Sequence, residues 1–130
     1  MLAPLLALGL LAASCGGGSE AAAVRAALTS STIRVEPAEV ASGPVLLKLE
    51  NMSMGPHSVV VLRTDTPYDK IVMDPTDPDE VLRKGMIARV EIPGQQTAEL
   101  KMILPRGRYV VLCGHVEHYE WGMRAPLLVR

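Results

Sequence analysis

Beyond residue 31, apolar and polar residues alternate through most of the chain, the spacing of strands with one face turned inward. Thr32-Ile-Arg-Val-Glu36 alternates and stops at Pro37. After a Gly43-Pro44 turn, Val45, Leu47 and Leu49 point one way, Lys48 and Glu50 the other. Ala88, Val90 and Ile92 form an inward stripe against outward Arg89 and Glu91, and Pro93-Gly94 turns the chain. The same period continues through Ala98, Leu100, Met102 and Leu104, then through Tyr109, Val111 and Cys113 as a strand with one face inward. Residues 126–129 read as a closing strand. The run from Ser58 to Leu62 differs: it is apolar without a break, as in a strand covered on both faces. Turn residues separate these runs at short intervals. The pattern predicts an all-β protein, a Greek-key β-sandwich of seven or eight strands.

One stretch departs from this rhythm. Residues 64–80 are rich in Pro and Asp and predict an irregular excursion. Within it, Asp77-Pro-Asp-Glu80 reads as a helix start, with Asp77 as N-cap, Pro78 in the first helical position and Glu80 closing a capping box. A short helix through Lys84 follows, the single helical insertion.

The N-terminal segment has another character. Residues 1–14 carry no charge and are mostly Leu and Ala. They are too short for a spanning helix of about 20 residues, and match the apolar core of a secretory signal. Ala12-Ala13-Ser14 precede Cys15, and Gly16-Gly-Gly-Ser19 follow. This resembles a bacterial lipoprotein signal, which implies lipidation at Cys15 and attachment to a membrane. A cleaved signal and an uncleaved anchor are the alternatives, and all three versions put the domain outside the cytoplasm. Residues 16–30 are small and polar or Ala-rich, and Ala21–Leu28 lacks a clear apolar face, so this stretch reads as a flexible linker. The organisation is therefore a signal or lipoprotein segment at 1–15, a linker at 16–30 and one domain at 31–130.

Composition limits what that domain does. About a hundred residues suffice for a single core, and without Phe that core is filled by Val, Leu, Ile and Met. The 13 Lys and Arg offset 14 Asp and Glu to a net charge of −1, which gives no electrostatic case for nucleic-acid binding. The two cysteines are Cys15 and Cys113, each with a separate use in this reading in preference to a mutual disulfide.

The chemistry is concentrated near the C-terminus. Cys113, His118 and Met123 follow one another at intervals of five residues. Thiolate, imidazole and thioether are soft donors, a set that suits copper and not magnesium or calcium. A blue-copper centre takes two His and one Cys near a plane plus a weak axial Met. A second His is available: of three in the chain, His57 follows Gly55-Pro56 where a turn enters a strand. His115 is the rival to His118, but two residues from Cys113 is cramped for sharing one metal, so it reads as a loop residue. By residue type alone, a Cys113–His118 nucleophile and base pair and a zinc site, for which Met is a poor ligand, remain open.

Cys-x4-His-x4-Met after Leu104-Pro-x-Gly-x-Tyr109, with Asn51-x-x-x-x-Pro-His57 upstream, resembles the cupredoxin family of blue-copper proteins. The resemblance spans roughly residues 31–130. It implies one type 1 copper held by His57, Cys113, His118 and Met123, and a monomeric electron carrier, not an enzyme, that serves redox partner proteins through the exposed edge of His118. The chain departs from the family where Asn commonly follows the first His, here Ser58; where Pro-Gly commonly precedes the loop His, here Val116-Glu117; and after the Cys, here Gly114. Met52 and Met54 flank His57, either as anchors in the core or as a soft relay for Cu(I). Tyr119 and Trp121 lie beside His118, one to pack over the loop and one to form a docking face. The alternative function is an extracytoplasmic Cu(I) chaperone or storage protein using His57, Met52, Met54 and Met123.

Overall fold

The period-two alternation folds into two stacked sheets. The computed structural model describes residues 20–130; the signal segment, Cys15 and the first residues of the linker lie outside the described residues. The strands are β1 (Ala22–Leu28), β2 (Ile33–Glu36), β3 (Glu39–Val40), β4 (Gly43–Asn51), β5 (His57–Arg63), β6 (Met86–Ile92), β7 (Thr97–Leu104), β8 (Gly107–Cys113) and β9 (Arg124–Val129). Two short helices, α1 (Asp79–Arg83) and α2 (Val116–Trp121), interrupt them. One sheet has the order β2-β1-β4-β7 and the other β3-β9-β8-β5-β6. The all-β sandwich is as expected. The described residues hold nine strands, because β1 and the two-residue β3 add to the alternating runs.

β1 corrects the linker reading of residues 22–28. Ala is a good helix former and a poor strand former, which hides the alternation of Val24, Ala26 and Leu28 against Arg25. These three side chains are buried. β1 runs parallel to β4, with Val24 beside Leu47 and Ala26 beside Leu49, and antiparallel to β2. Burying Val24 and Leu28 is worth about 1.5–3 kcal/mol each relative to exposure, so pairing with β4 outweighs the local preference of an Ala-rich segment.

The core between the sheets takes Val45, Leu47 and Leu49 of β4, Val59 and Val61 of β5, Tyr109, Val111 and Cys113 of β8, and Ala125, Leu127 and Val129 of β9. A second cluster lies on the outer face of the five-stranded sheet. There Val60, Leu62, Val110 and Leu112 are covered by Ile71, Met73, Leu82 and Tyr119. This explains the unbroken apolar run of β5: the 64–84 excursion and α2 cover its second face. β8 is likewise buried on both faces, not on one as its alternation predicts.

The insertion helix starts one residue later than expected, at Asp79, with Pro78 as N-cap and no side-chain cap. The Asp77 carboxylate is drawn instead to Arg83, with Oδ2 accepting from Nη2 at 2.7 Å. α2 is a second helix that the sequence pattern does not predict.

Candidate metal centre

Two loops meet at one end of the sandwich. The first runs from Asn51 to His57 and is shaped by a buried polar hub. Asn51 is 1% exposed. Its Nδ2 donates toward the carbonyl oxygens of Gly55 (2.9 Å), Ile92 (3.0 Å) and Pro93 (3.2 Å), and its Oδ1 accepts from Ser53 N at 3.0 Å and Ser53 Oγ at 2.6 Å. Ser53 Oγ lies 3.0 Å from His57 Nε2. The single hydroxyl hydrogen is taken by Asn51 Oδ1 or the Gly55 carbonyl, both acceptors only. Nε2–H of His57 is therefore the donor to Ser53, and Nδ1 keeps its lone pair. A hydrogen bond at one imidazole nitrogen sets which nitrogen is free for a metal.

The second loop runs from Cys113 to Met123. Its neck is closed by backbone bonds from Cys113 N to Met123 O and from Met123 N to His118 O, both at 3.0 Å. Between them α2 turns His118 back over Cys113. Gly122 ends the helix at φ +129°, a conformation that side chains rarely adopt, and thereby brings Met123 inside, where it is fully buried. Tyr119 anchors the helix underneath: its hydroxyl accepts from Ile71 N at 2.9 Å and donates to Tyr68 O at 2.8 Å.

The loops bring three donors together. His57 Nδ1 and His118 Nδ1 are 3.2 Å apart, and Cys113 Sγ lies 3.9 Å from the first and 3.5 Å from the second. With bonds of about 2.0 Å to imidazole and about 2.3 Å to thiolate, a trigonal centre needs separations of about 3.5 Å and 3.7 Å. The donors thus sit at the spacing of a single ion, and the set is one thiol and two imidazoles. Burial lowers the pKa of His57, with His118 adding to the effect, and burial likewise lowers that of His118. Both shifts favour the neutral ring, the form that binds a metal. Burial raises the Cys113 thiol, while the backbone N–H groups of His115 and Ser58 act against it. A bound cation would deprotonate it.

The remaining candidates separate cleanly. His115 is exposed, at the N-cap of α2, and its ring stands 5.1 Å from that of His118, outside the triangle. Met52 and Met54 are 49% and 86% exposed, so neither is a core anchor. Trp121 is 61% exposed and lies 5.3 Å from the His118 ring, and the buried Tyr119 is the residue that packs. Met52, Met54, Pro56, Val116 and Trp121 line an open depression over His57 and His118. The roles of Ser53 and of the Tyr119 hydroxyl have no counterpart in the sequence reading; the only signal for Ser53 is a small polar residue two places after Asn51.

No family model and no curated protein matches the chain. Solved structures do. Auracyanin from the photosynthetic bacterium Roseiflexus castenholzii is 19% identical, with a TM-score of 0.60 over 87% of this chain and 99% of its own. Auracyanin A, a blue copper protein from Chloroflexus aurantiacus, is 18% identical, with a TM-score of 0.56 over 83% and 99%. Rusticyanin from Thiobacillus ferrooxidans is 18% identical, with a TM-score of 0.62 over 87% and 79%. The chain has the cupredoxin fold. Against the usual cupredoxin pattern, Ser58 stands in place of Asn, and it still joins the two loops: its carbonyl accepts from Gly114 N at 2.7 Å.

Proposed function

We propose that the chain is a blue-copper protein that carries single electrons between redox partner proteins outside the cytoplasm. His57, Cys113 and His118 would hold one type 1 copper, and Met123 would be a weaker fourth donor. The observation that carries this reading is the triangle of His57 Nδ1, His118 Nδ1 and Cys113 Sγ, with sides of 3.2 to 3.9 Å. Copper bound there supplies one-electron chemistry by alternating between Cu(II) and Cu(I). The chain's own residues supply a frame that moves little. Ser53 fixes the His57 ring, the Cys113–Met123 backbone bond fixes the loop neck, and burial excludes water from the sulfur. His118 reaches the surface beside Trp121, which gives electrons a short route in and out.

Export and lipidation at Cys15 complete the proposal, with the chain acting as a membrane-attached monomer. Among the described residues no helix is long and apolar enough to cross a membrane. A second reading, a Cu(I) chaperone, gains from the exposure of Met52 and Met54 beside His57. Adding Cu(II) to the purified protein separates the two. The carrier gives an intense visible thiolate-to-copper band that Cys113→Ser removes. A parent that takes up Cu(I) and stays colourless on oxidation rules out the carrier.

A further inference from the structure

Arg89 sits in the middle of β6, opposite Val60 of β5, where its charge suits an outward side chain. Its guanidinium instead reaches along the sheet to Ser58, the diagonal neighbour on the same face. Nε donates to Ser58 Oγ at 2.7 Å, and Nη1 donates to Asp79 Oδ1 of α1 at 2.9 Å. The remaining nitrogen lies over Gly114. A Cβ built on that glycine would come within 2.9 Å of Arg89 Nη2 and 3.4 Å of Cζ. A side chain at position 114 would therefore push the guanidinium aside, and glycine leaves it room to lie this close. Ser58 is fully buried and its carbonyl accepts the Gly114 N–H at 2.7 Å. Each of these two residues directly follows a member of the donor triangle: Ser58 follows His57, and Gly114 follows Cys113.

We propose that Arg89 is a positioning residue for the metal centre: its guanidinium clamps Ser58 against Gly114 and so fixes the spacing of the His57 and Cys113 segments. The clamp takes over the bracing that a longer side chain at position 58 would give. Asp79 holds the far side of the guanidinium and ties the centre to α1. Arg suits this use because its planar fork bonds in two directions at once, which a lysine ammonium on a flexible stem does not reproduce. The functional consequence rests on the copper reading. Arg89 contributes a positive charge near the Cys113 segment, offset in part by Asp79 and Glu91; that contribution favours the less positive oxidation state of the centre, so its removal lowers the potential.

The test compares the parent with Arg89→Met and Arg89→Lys. In the metal-free protein, exchange of the Gly114 amide hydrogen is expected to be about tenfold faster in both variants, since both lose the fork. In the copper-loaded protein, release of copper to a chelator is expected to be about 10- to 100-fold faster in Arg89→Met. The midpoint potential is expected to fall in Arg89→Met and to return toward the parent in Arg89→Lys, which keeps the charge. Parental Gly114 exchange in Arg89→Met overturns the clamp. Parental copper release and potential, with faster exchange, reduce Arg89 to a structural tie and overturn its role at the centre. A parent that never turns blue, with faster Gly114 exchange in the variants, removes the copper reading and leaves the clamp standing.

Discussion

Ser53 Oγ and His57 Nε2 are 3.0 Å apart, through the ring nitrogen that does not face Cys113. The contact lets Ser53 help set which His57 nitrogen is available. Ser53→Ala removes the acceptor for Nε2–H and one of the two donors to the buried Asn51 Oδ1. A stability loss of about 1–3 kcal/mol is expected in the metal-free domain. Copper affinity is expected to fall about 10- to 100-fold. Urea unfolding and competition with a Cu(II) chelator measure the two effects. An unchanged affinity would show that loop packing alone orients His57.

The two histidines of the Cys113 loop are expected to respond differently to truncation. His118→Ala deletes one corner of the triangle, and the vacated space opens on the depression above it. The visible band is expected to disappear and to return with added imidazole. His115→Ala removes an exposed ring that touches none of the donors through a hydrogen bond, so the spectrum is expected to change little. Titration of both variants with Cu(II) in the spectrophotometer decides it. The reverse order of effects would reassign the loop register.

Much of this site is legible in the residues because its constraints are local. Cys113, His118 and Met123 lie on one loop, and Pro56-His57 marks a turn into a strand; residue chemistry and spacing offer these candidates, and the resemblance to cupredoxins narrows them to one set. The period-two stripes of β4, β6 and β7 are legible for the same reason. What escapes is set by partners far away in sequence. β1 is a strand because β4 and β2 offer edges on either side, and its own Ala-rich composition argues for the opposite. Asp77 reads as a cap because Pro78 follows it, but Arg83 competes for the carboxylate. Arg89 alternates correctly as an outward residue, and nothing in its neighbourhood announces Ser58 or Gly114. Residues 116–121 are too few and too polar for a helical stripe, so α2 is specified by the buried Tyr119 below it and the Gly122 turn at its end.

Tyr119 links the ligand loop to the excursion over the outer face of the sheet. Its hydroxyl serves Ile71 N and Tyr68 O, both contributed from some fifty residues away in sequence. Tyr119→Phe keeps the ring, and the Arg124 guanidinium that stacks 4.9 Å from its centroid, but leaves both backbone groups without this partner. A loss of about 1–3 kcal/mol is expected, seen as a lower thermal midpoint. Protection from hydrogen exchange is expected to fall around Ile71 while the visible spectrum stays close to the parent. A parental Ile71 exchange rate would mean that the excursion is held by Met73 and Leu82 packing alone.

Met123 is expected to tune the centre more than to hold it. The side chain is fully buried, and its backbone closes the loop neck through Cys113 N and His118 O whatever the side chain is. Met→Leu nearly conserves volume, so folding is expected to lose less than about 1.5 kcal/mol. A thioether in the axial position is a long, weak donor. Leu removes a donor that Cu(II) uses more than Cu(I), so the midpoint potential is expected to rise. Gln offers a harder oxygen that favours Cu(II), so the potential is expected to fall. Copper stays bound in both, because the triangle of His57, Cys113 and His118 is intact. Under the chaperone reading Met123 is instead a principal Cu(I) ligand, and Met123→Leu weakens Cu(I) binding severely. Voltammetry of both variants, together with Cu(I) competition assays, separates these outcomes. A large loss of Cu(I) affinity in Met123→Leu, from a parent with no blue form, would replace the electron carrier with the chaperone.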